Sequence, residues 1–360
     1  MTAVFDAALP DELCRWYRAA RRALPWRATR DPYRVWVSEV MLQQTRVETV
    51  RGAYRRFLER FPDVGVLAAA SEADVLARWS GLGYYRRARA LHAAAGEIVA
   101  QHGGRFPSDP RAALALTGVG RYTAGAVLSI AYGRAEPIVD GNVARVFARW
   151  FLLEDELGTG ALERRLWSLA AAAMPAAGEP GAGANPGDWN QALMELGATI
   201  CTPTSPACQR CPVAELCGAR RAGRVDELPR KRPKAPPTPV RLEALVIEHD
   251  GARLVVQRPP SGRMASLWEP PLREVGTQHL WPADFPALGL AGFELEPGDL
   301  ARVKHSITRY TLDVVVRRAR LVGASEGSNA ASPARWVRPG DEVALTGLAK
   351  KLAQVGQRHG

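Results

Sequence analysis

Two acidic residues and four cysteines carry the chemistry legible in this sequence. Asp140 lies in Ile138-Val139-Asp140-Gly141-Asn142-Val143, a carboxylate in a Gly-Asn setting. Just before it, Leu116-Thr117-Gly118-Val119-Gly120-Arg121-Tyr122-Thr123-Ala124-Gly125 reads as helix, tight turn, helix. Gly118 and Gly120 suit a turn that needs unusual backbone angles and close approach to another molecule. N–H groups at the turn and at the next helix start lack helical partners, and such a surface binds phosphate. A phosphate clamp beside a fixed carboxylate suggests chemistry on a nucleic-acid strand. An ordinary helical hairpin with a solvated turn aspartate is the alternative for this stretch alone. Glu39 lies in Ser38-Glu39-Val40-Met41-Leu42-Gln43-Gln44-Thr45. Desolvation by apolar neighbours would raise its pKa and let it hold a proton near neutrality. A surface glutamate on the polar face of a helix is the other reading.

Cys201, Cys208, Cys211 and Cys217 follow the pattern C-x6-C-x2-C-x5-C. Clustered thiols in a reducing compartment point to metal rather than to disulfides. Structural zinc usually takes two close cysteine pairs, and only one such pair is present. Four cysteines with uneven gaps fit a [4Fe–4S] cluster better. Arg210, Arg220, Arg221 and Arg224 would make this loop a basic, DNA-facing lobe. The fifth cysteine, Cys14, reads as a small buried hydrophobe on an amphipathic helix.

Helices must position these groups. The apolar spacing predicts a first helix over 11–22, ended by Leu24-Pro25-Trp26-Arg27. A long helix opens at Asp31-Pro32-Tyr33 and runs through Met41 and beyond, with Trp36, Val40 and Val47 facing the core. Residues 64–100 hold two helical patterns separated by Gly81-Leu82-Gly83-Tyr84-Tyr85-Arg86-Arg87-Ala88-Arg89. Aromatics with cations suit stacking on bases and pairing with phosphates; a helix cap with arginines lying along the surface is the plainer reading. Residues 161–200 are helical again, interrupted by a Gly/Pro/Ala loop at 177–187. Leu228 to Pro239 is a stiff, basic, Pro-rich linker. Beyond it, 242–248 and 253–257 read as a hairpin around Asp250-Gly251. Tyr310–Val316 reads as a strand and Thr346–Val355 as a closing helix, so this second domain is α+β. No internal repeat is visible.

The chain has 360 residues, ample for two cores, and a net charge of +11 that favours polyanionic partners. No run of about 18 apolar residues predicts a membrane helix, so no membrane partner is expected. Met1–Pro10 lacks the basic start and apolar core of a secretory signal. The expected location is cytoplasmic, on the nucleoid when DNA is bound.

Taken together, these residues resemble the endonuclease III superfamily of helix-hairpin-helix DNA glycosylases. Leu116–Gly125 looks like its hairpin, Val139–Val143 its catalytic aspartate segment, and the cysteine spacing its cluster loop. The resemblance narrows to the MutY adenine glycosylases through Leu24–Arg27, Ser38–Thr45 and Gly81–Tyr85, and covers nearly all of 10–220. Leu267-Trp268-Glu269-Pro270-Pro271 and Val303-Lys304-His305-Ser306-Ile307-Thr308 resemble that family's Nudix-like C-terminal domain. The implied class is α+β overall. An all-α helix-hairpin-helix glycosylase domain would occupy 1–227, with the hairpin at 111–131 and the iron–sulfur loop at 201–217. A basic linker would follow at 228–240, then a Nudix-like lesion-recognition domain at 241–360.

The resemblance also implies roles. A [4Fe–4S] cluster would sit on Cys201, Cys208, Cys211 and Cys217. The substrate would be double-stranded DNA with adenine opposite 8-oxoguanine or guanine, bound by a monomer. Bifunctional relatives carry a lysine where this chain has Tyr122, and that amine forms a Schiff base that cleaves the strand. Tyr122 implies a monofunctional enzyme. Glu39 would protonate adenine and later activate water, and Asp140 would stabilise or trap the oxocarbenium-like sugar. Asn142 would orient Asp140, and Tyr122 would flank the acidic pair. Adenine must first leave the stack. Gln44 and Tyr84 would wedge the duplex, Trp26, Arg27 and Gln191 would line the adenine pocket, and Gly118 and Gly120 would meet phosphate. His305, Ser306 and Thr308 would read the lesion base. Many relatives use a Phe-Ser-His turn there; Ile307-Thr308-Arg309 aligns with it, so Thr308 keeps a hydroxyl and Arg309 replaces the imidazole. No string of metal-binding glutamates follows Gly262, so no pyrophosphatase activity is expected.

Overall fold

A computed structural model describes residues 9–175, 184–232, 235–259, 264–275, 293–307, 309–321 and 334–355; Thr308 lies outside the described residues. The chain divides into two units, Met1–Ala70 with Arg86–Pro233, and Ser71–Tyr85 with Lys234–Gly360.

The first unit is helical: α1 Leu9–Ala20, α2 Pro32–Leu42, α3 Val47–Arg60, α4 Val64–Ala69, α6 Arg86–His102, α7 Pro110–Ala115, α8 Arg121–Tyr132, α9 Gly141–Trp150, α10 Gly160–Ala172, α11 Pro186–Thr199 and α12 Gly218–Arg221. Local chemistry sets most of the starts. Asp31, Asp63, Asp109 and Asn185 each accept a backbone N–H from three residues on, which satisfies donors the helix cannot. Pro32, Pro110 and Pro186 sit where the missing N–H costs nothing. Helices α2 and α8 are buried on nearly every side, so they form the centre of the unit rather than an amphipathic shell. Helix α2 packs on α8, and α11 packs on α1, α8 and α9.

The expected long helix through Met41 is broken. α2 stops at Leu42, Gln44 takes a left-handed φ of +56°, and α3 begins at Val47. The cause is Arg87 on α6. Its guanidinium donates to the carbonyls of Val40 (2.8 Å), Met41 (3.0 Å) and Gln43, and to Thr45 Oγ1 (3.0 Å). A cation that satisfies the last carbonyls of a helix fixes its end. Arg87 therefore serves the turn carrying Gln44.

Gly197 on α11 lies against α9, where an added Cβ would fall 2.5 Å from the Asn142 Cβ. Gly197→Val is expected to cost about 1–3 kcal/mol through overpacking and to displace Asn142. A lower melting temperature together with slower single-turnover excision checks this.

The second unit is a mixed sheet with α5 (Glu72–Arg78) and α13 (Gly347–Ala353). Its strands are β1 Thr238–His249, β2 Ala252–Gln257, β3 Trp268–Glu269, β4 Leu272–Glu274, β5 Phe293–Leu295, β6 Ala301–Ile307, β7 Tyr310–Leu321 and β8 Ala334–Val337. The order is β3-β2-β1-β7-β5, with β4 on β1, β6 on β7 and β8 on β2. β1 and β7 run parallel from Thr238↔Tyr310 to Ile247↔Ala319, and the remaining pairings are antiparallel. Asp250 and Gly251 turn the β1–β2 hairpin with positive φ at both positions, as a two-residue hairpin of this twist requires. Side chains alternate along β1: Ala244 and Val246 join Leu348 and Leu352, while Leu245 and Ile247 join Leu254 and Ala334. That is the two-residue period of a strand buried on both faces. The α+β expectation for the whole chain is met.

Candidate active site and iron–sulfur loop

Asp140 caps α9. Its Oδ1 accepts from the N–H groups of Asn142 (2.9 Å) and Val143 (2.7 Å), and its Oδ2 accepts from Asn142 Nδ2 (2.9 Å). Desolvation raises its pKa, and these hydrogen bonds oppose the rise. Arg145 holds Asn142 in turn. It donates to Asn142 Oδ1 (2.8 Å) and to the carbonyls of Gly197 (2.7 Å) and Cys201 (2.7 Å).

Glu39 is no surface glutamate. It points from α2 into the interior with 4% of its surface exposed. Tyr122 Oη, from the first turn of α8, donates to its Oε2 at 2.5 Å. Burial lifts the Glu39 carboxyl to about 7; the Tyr122 bond opposes this, the Asp140 charge adds to it and Arg27 opposes it. Burial, then the charges of Glu39 and Asp140, push the Tyr122 phenol well above its ordinary value. Tyr122 therefore keeps its proton and acts as a donor.

These groups share one cleft of about 1010 Å³, whose lining includes Glu39, Tyr122, Asp140, Asn142, Trp26, Arg27, Gln44, Gln191, Gly118 and Gly120. The volume suits a small-molecule-sized guest. Every residue assigned from sequence to catalysis, to the adenine pocket and to the hairpin turn thus meets here. Gly118 takes φ +73°, and an added Cβ would strike Ala90 at 2.4 Å. Helix α8 starts at Gly120 without a side-chain cap, so its first N–H groups remain available to an anion. Tyr84, His305 and Ser306 belong to the second unit. Tyr84 is half exposed, and His305 and Ser306 lie on β6 opposite Leu312 and Thr311.

Sequence reading missed Glu195. It is fully buried on α11, lines the same cleft, and accepts from Arg22 Nη2 and Arg27 Nη2, each at 2.7 Å. Burial pushes its carboxyl up, but the bonds from Arg22 and Arg27 win and hold it at about 2. Gln191 lies one helical turn earlier, and its Oε1 accepts from Tyr17 Oη at 3.0 Å. The spacing of four between Gln191 and Glu195 places both on one helix face, and that was the available signal.

The 201–217 loop begins at the end of α11. Cys208 and Cys211 bracket a short 3-10 turn, and Cys217 precedes α12. All four thiols are half-buried. Among the described residues no three His, Cys, Asp or Glu side chains converge on one ion. The thiols nonetheless sense one another: burial raises Cys211 to about 11, and Cys201, Cys217 and Cys208 add to it. A buried cation stands ready for thiolate charge. Arg149, 2% exposed, donates to Cys201 Sγ (3.3 Å) and to the carbonyls of Thr202 (2.7 Å) and Leu228 (2.9 Å). The donor set suits an iron–sulfur group. Arg149→Leu strands those two carbonyls, each at a cost of about 1–3 kcal/mol. Lower iron per chain and a lower melting temperature are the expected results.

Residues 37–172 match the family profile described as HhH-GPD superfamily base excision DNA repair protein. Residues 201–217 match the iron-sulfur binding domain of endonuclease III, and 243–354 match a NUDIX domain. The human protein named adenine DNA glycosylase is 34% identical over 97% of this chain and 74% of its own length. The chain belongs to the adenine DNA glycosylase family. The adenine DNA glycosylase of Schizosaccharomyces pombe is likewise 34% identical, over 77% of this chain and 71% of its own. A solved thermostable thymine-DNA glycosylase superposes with a TM-score of 0.52 at 29% identity, over 60% of this chain and 96% of that one. This adenine DNA glycosylase is a DNA-binding enzyme of base-excision repair, and its 201–217 loop carries a [4Fe–4S] cluster. No helix among the described residues is long and apolar enough to cross a membrane.

Proposed function

We propose that this enzyme hydrolyses the N-glycosidic bond of adenine mispaired with 8-oxoguanine or guanine, without cutting the strand. The observation that carries the reading is a carboxyl poised at about 7, Glu39, sharing a cleft with Asp140. Adenine leaves readily only once protonated, and Glu39 holds a proton at neutral pH for N7. The phenol of Tyr122, bonded to Glu39 Oε2, orients that carboxyl. As the bond to the sugar breaks, positive charge grows on the deoxyribose. Asp140, held by three hydrogen bonds, meets that charge without reorganising, or traps it covalently. Glu39, now ionised, takes a proton from the attacking water. Asn142 keeps the Asp140 carboxylate in register.

Base flipping precedes chemistry. Gln44, strained at φ +56°, and Tyr84 enter the duplex in place of the departing base. Trp26, Arg27 and Gln191 receive adenine, and the amides around Gly118 and Gly120 hold backbone phosphate. His305, Ser306 and Thr308 read the opposite base. Cys201, Cys208, Cys211 and Cys217 ligate the cluster. Residues 1–227 do the chemistry as a monomer on the nucleoid, 228–240 link, and 241–360 recognise the lesion. Tyr122 offers no amine for a Schiff base, so an abasic duplex incubated without heat or alkali stays intact.

Excision from duplexes with adenine opposite 8-oxoguanine, guanine, thymine and cytosine tests the reading. Fast release opposite the two purines and slow release opposite the pyrimidines is expected. Equal rates on all four reject mispair specificity, and prompt strand scission rejects the monofunctional assignment.

A further inference from the structure

Chain residues Ser71–Tyr85 belong to the second unit although glycosylase helices flank them in sequence. After α5 the chain bends through three left-handed residues, Gly81 (φ +103°), Gly83 (φ +68°) and Tyr84 (φ +47°). A tyrosine in that conformation persists only where its surroundings hold it. Two aromatic neighbours do so. Trp79, fully buried, donates its indole N–H to the Gly83 carbonyl at 3.1 Å. Tyr85, 6% exposed, donates its phenol to the Leu345 carbonyl at 3.1 Å. Tyr84 between them is 47% exposed. Arg78, at the end of α5, pairs with Glu342 at 2.8 Å.

Leu345 is itself tied to the sheet. Trp268 N–H donates to the Ala344 carbonyl (3.0 Å), and Thr346 N–H donates to the Trp268 carbonyl (2.9 Å). The Thr346 hydroxyl accepts from Ala349 N–H at 3.0 Å and so caps α13. At the next residue, a Cβ on Gly347 would lie 3.6 Å from the His305 ring. One short path of packing and hydrogen bonds thus runs from β6 through 345–347 to the turn that presents Tyr84.

We propose that Tyr85 is a positioning residue that locks the Tyr84 turn to the 345–347 segment. One body then both reads the base opposite adenine and opens the stack, and contact at β6 sets how firmly Tyr84 is held. This rests on the roles given above to Tyr84 and β6.

The test is single-turnover excision by the full chain on 8-oxoguanine:adenine and guanine:adenine duplexes. Tyr85→Phe keeps the ring and removes the bond to Leu345. It should lower the ratio of the two rates about fivefold, the worth of a net hydrogen bond of about 1 kcal/mol. In a Tyr84→Ser background the same change should add nothing, because the two residues act as one device. An unchanged ratio in Tyr85→Phe, or the same fivefold loss in both backgrounds, overturns the proposal. Where melting shows Tyr85→Phe misfolded, Glu342→Gln takes its place with an expected loss of roughly twofold, and no loss overturns it. A wild-type ratio of one rejects the mispair reading instead. The tether is then judged by fluorescence of a 2-aminopurine beside the target adenine, in an Asp140→Asn background. Tyr85→Phe should reduce the unstacking signal, and an unchanged signal rejects the tether.

Discussion

Glu39→Gln is expected to slow adenine release by roughly 10²–10⁴-fold under single-turnover conditions, the usual worth of a positioned general acid. Glutamine fits the same space and can still accept the Tyr122 hydrogen bond, so the loss isolates the proton. The pH profile sharpens the test. Burial lifts the wild-type carboxyl to about 7, so the rate should be flat below that pH and fall about tenfold per unit above it. The glutamine variant should lack this limb. The substitution should have the opposite effect on stability. The folded pKa of about 7 exceeds the ordinary value of 4.5, so the native state binds this proton more tightly than the unfolded chain does. The stabilisation is fully present below about 4.5 and is lost as pH rises through about 7, a change of about 3 kcal/mol. Glu39→Gln should therefore melt above wild type at pH 8 and close to it at pH 4. A variant that is active and no more stable at pH 8 removes Glu39 from the mechanism.

The parts of this site legible in sequence are those with local causes. Gly118 marks the turn because its left-handed backbone and the close approach of Ala90 demand glycine there, whereas Gly120 takes ordinary extended angles with open space around it, and Asp140 caps its own helix three residues on. The cysteines announce the cluster by spacing alone. Glu39 was ambiguous because a helix buried on every side has no polar face to compare with. Only the covering helix α8 decides that its carboxyl is desolvated. The break after Leu42 was invisible because its cause, Arg87, lies 47 residues from the Val40 carbonyl it satisfies. Glu195 was missed for the same reason. Its arginines lie 173 and 168 positions away, and a carboxylate on an apolar helix looks like surface until those cations are placed. Nothing local assigns Ser71–Tyr85 to the second unit; that grouping comes from tertiary partners such as Leu345 and Glu342.

Asp140→Asn is expected to reduce excision by at least roughly 10²–10³-fold, the loss seen when one preorganised electrostatic group is removed from a developing charge. Asparagine caps helices about as well as aspartate, so the bonds from Asn142 and Val143 N–H to Oδ1 have a replacement acceptor, while the amide nitrogen that replaces Oδ2 loses the bond from Asn142 Nδ2. Desolvation already disfavours the Asp140 charge in the folded chain, and removing that charge offsets the bond lost from Asn142 Nδ2, so melting temperature and iron content should stay near wild type while activity collapses. That separation marks a group kept for chemistry rather than for the fold. The residual activity carries a second signature. The Asp140 charge is one of the causes that raise Glu39, so neutralising it should let the Glu39 proton leave more readily. The falling limb of the pH profile should then begin at lower pH in Asp140→Asn than in wild type. A limb that stays in place means the two carboxyls do not sense each other. The mechanism that needs both of them at one sugar would then have no physical basis.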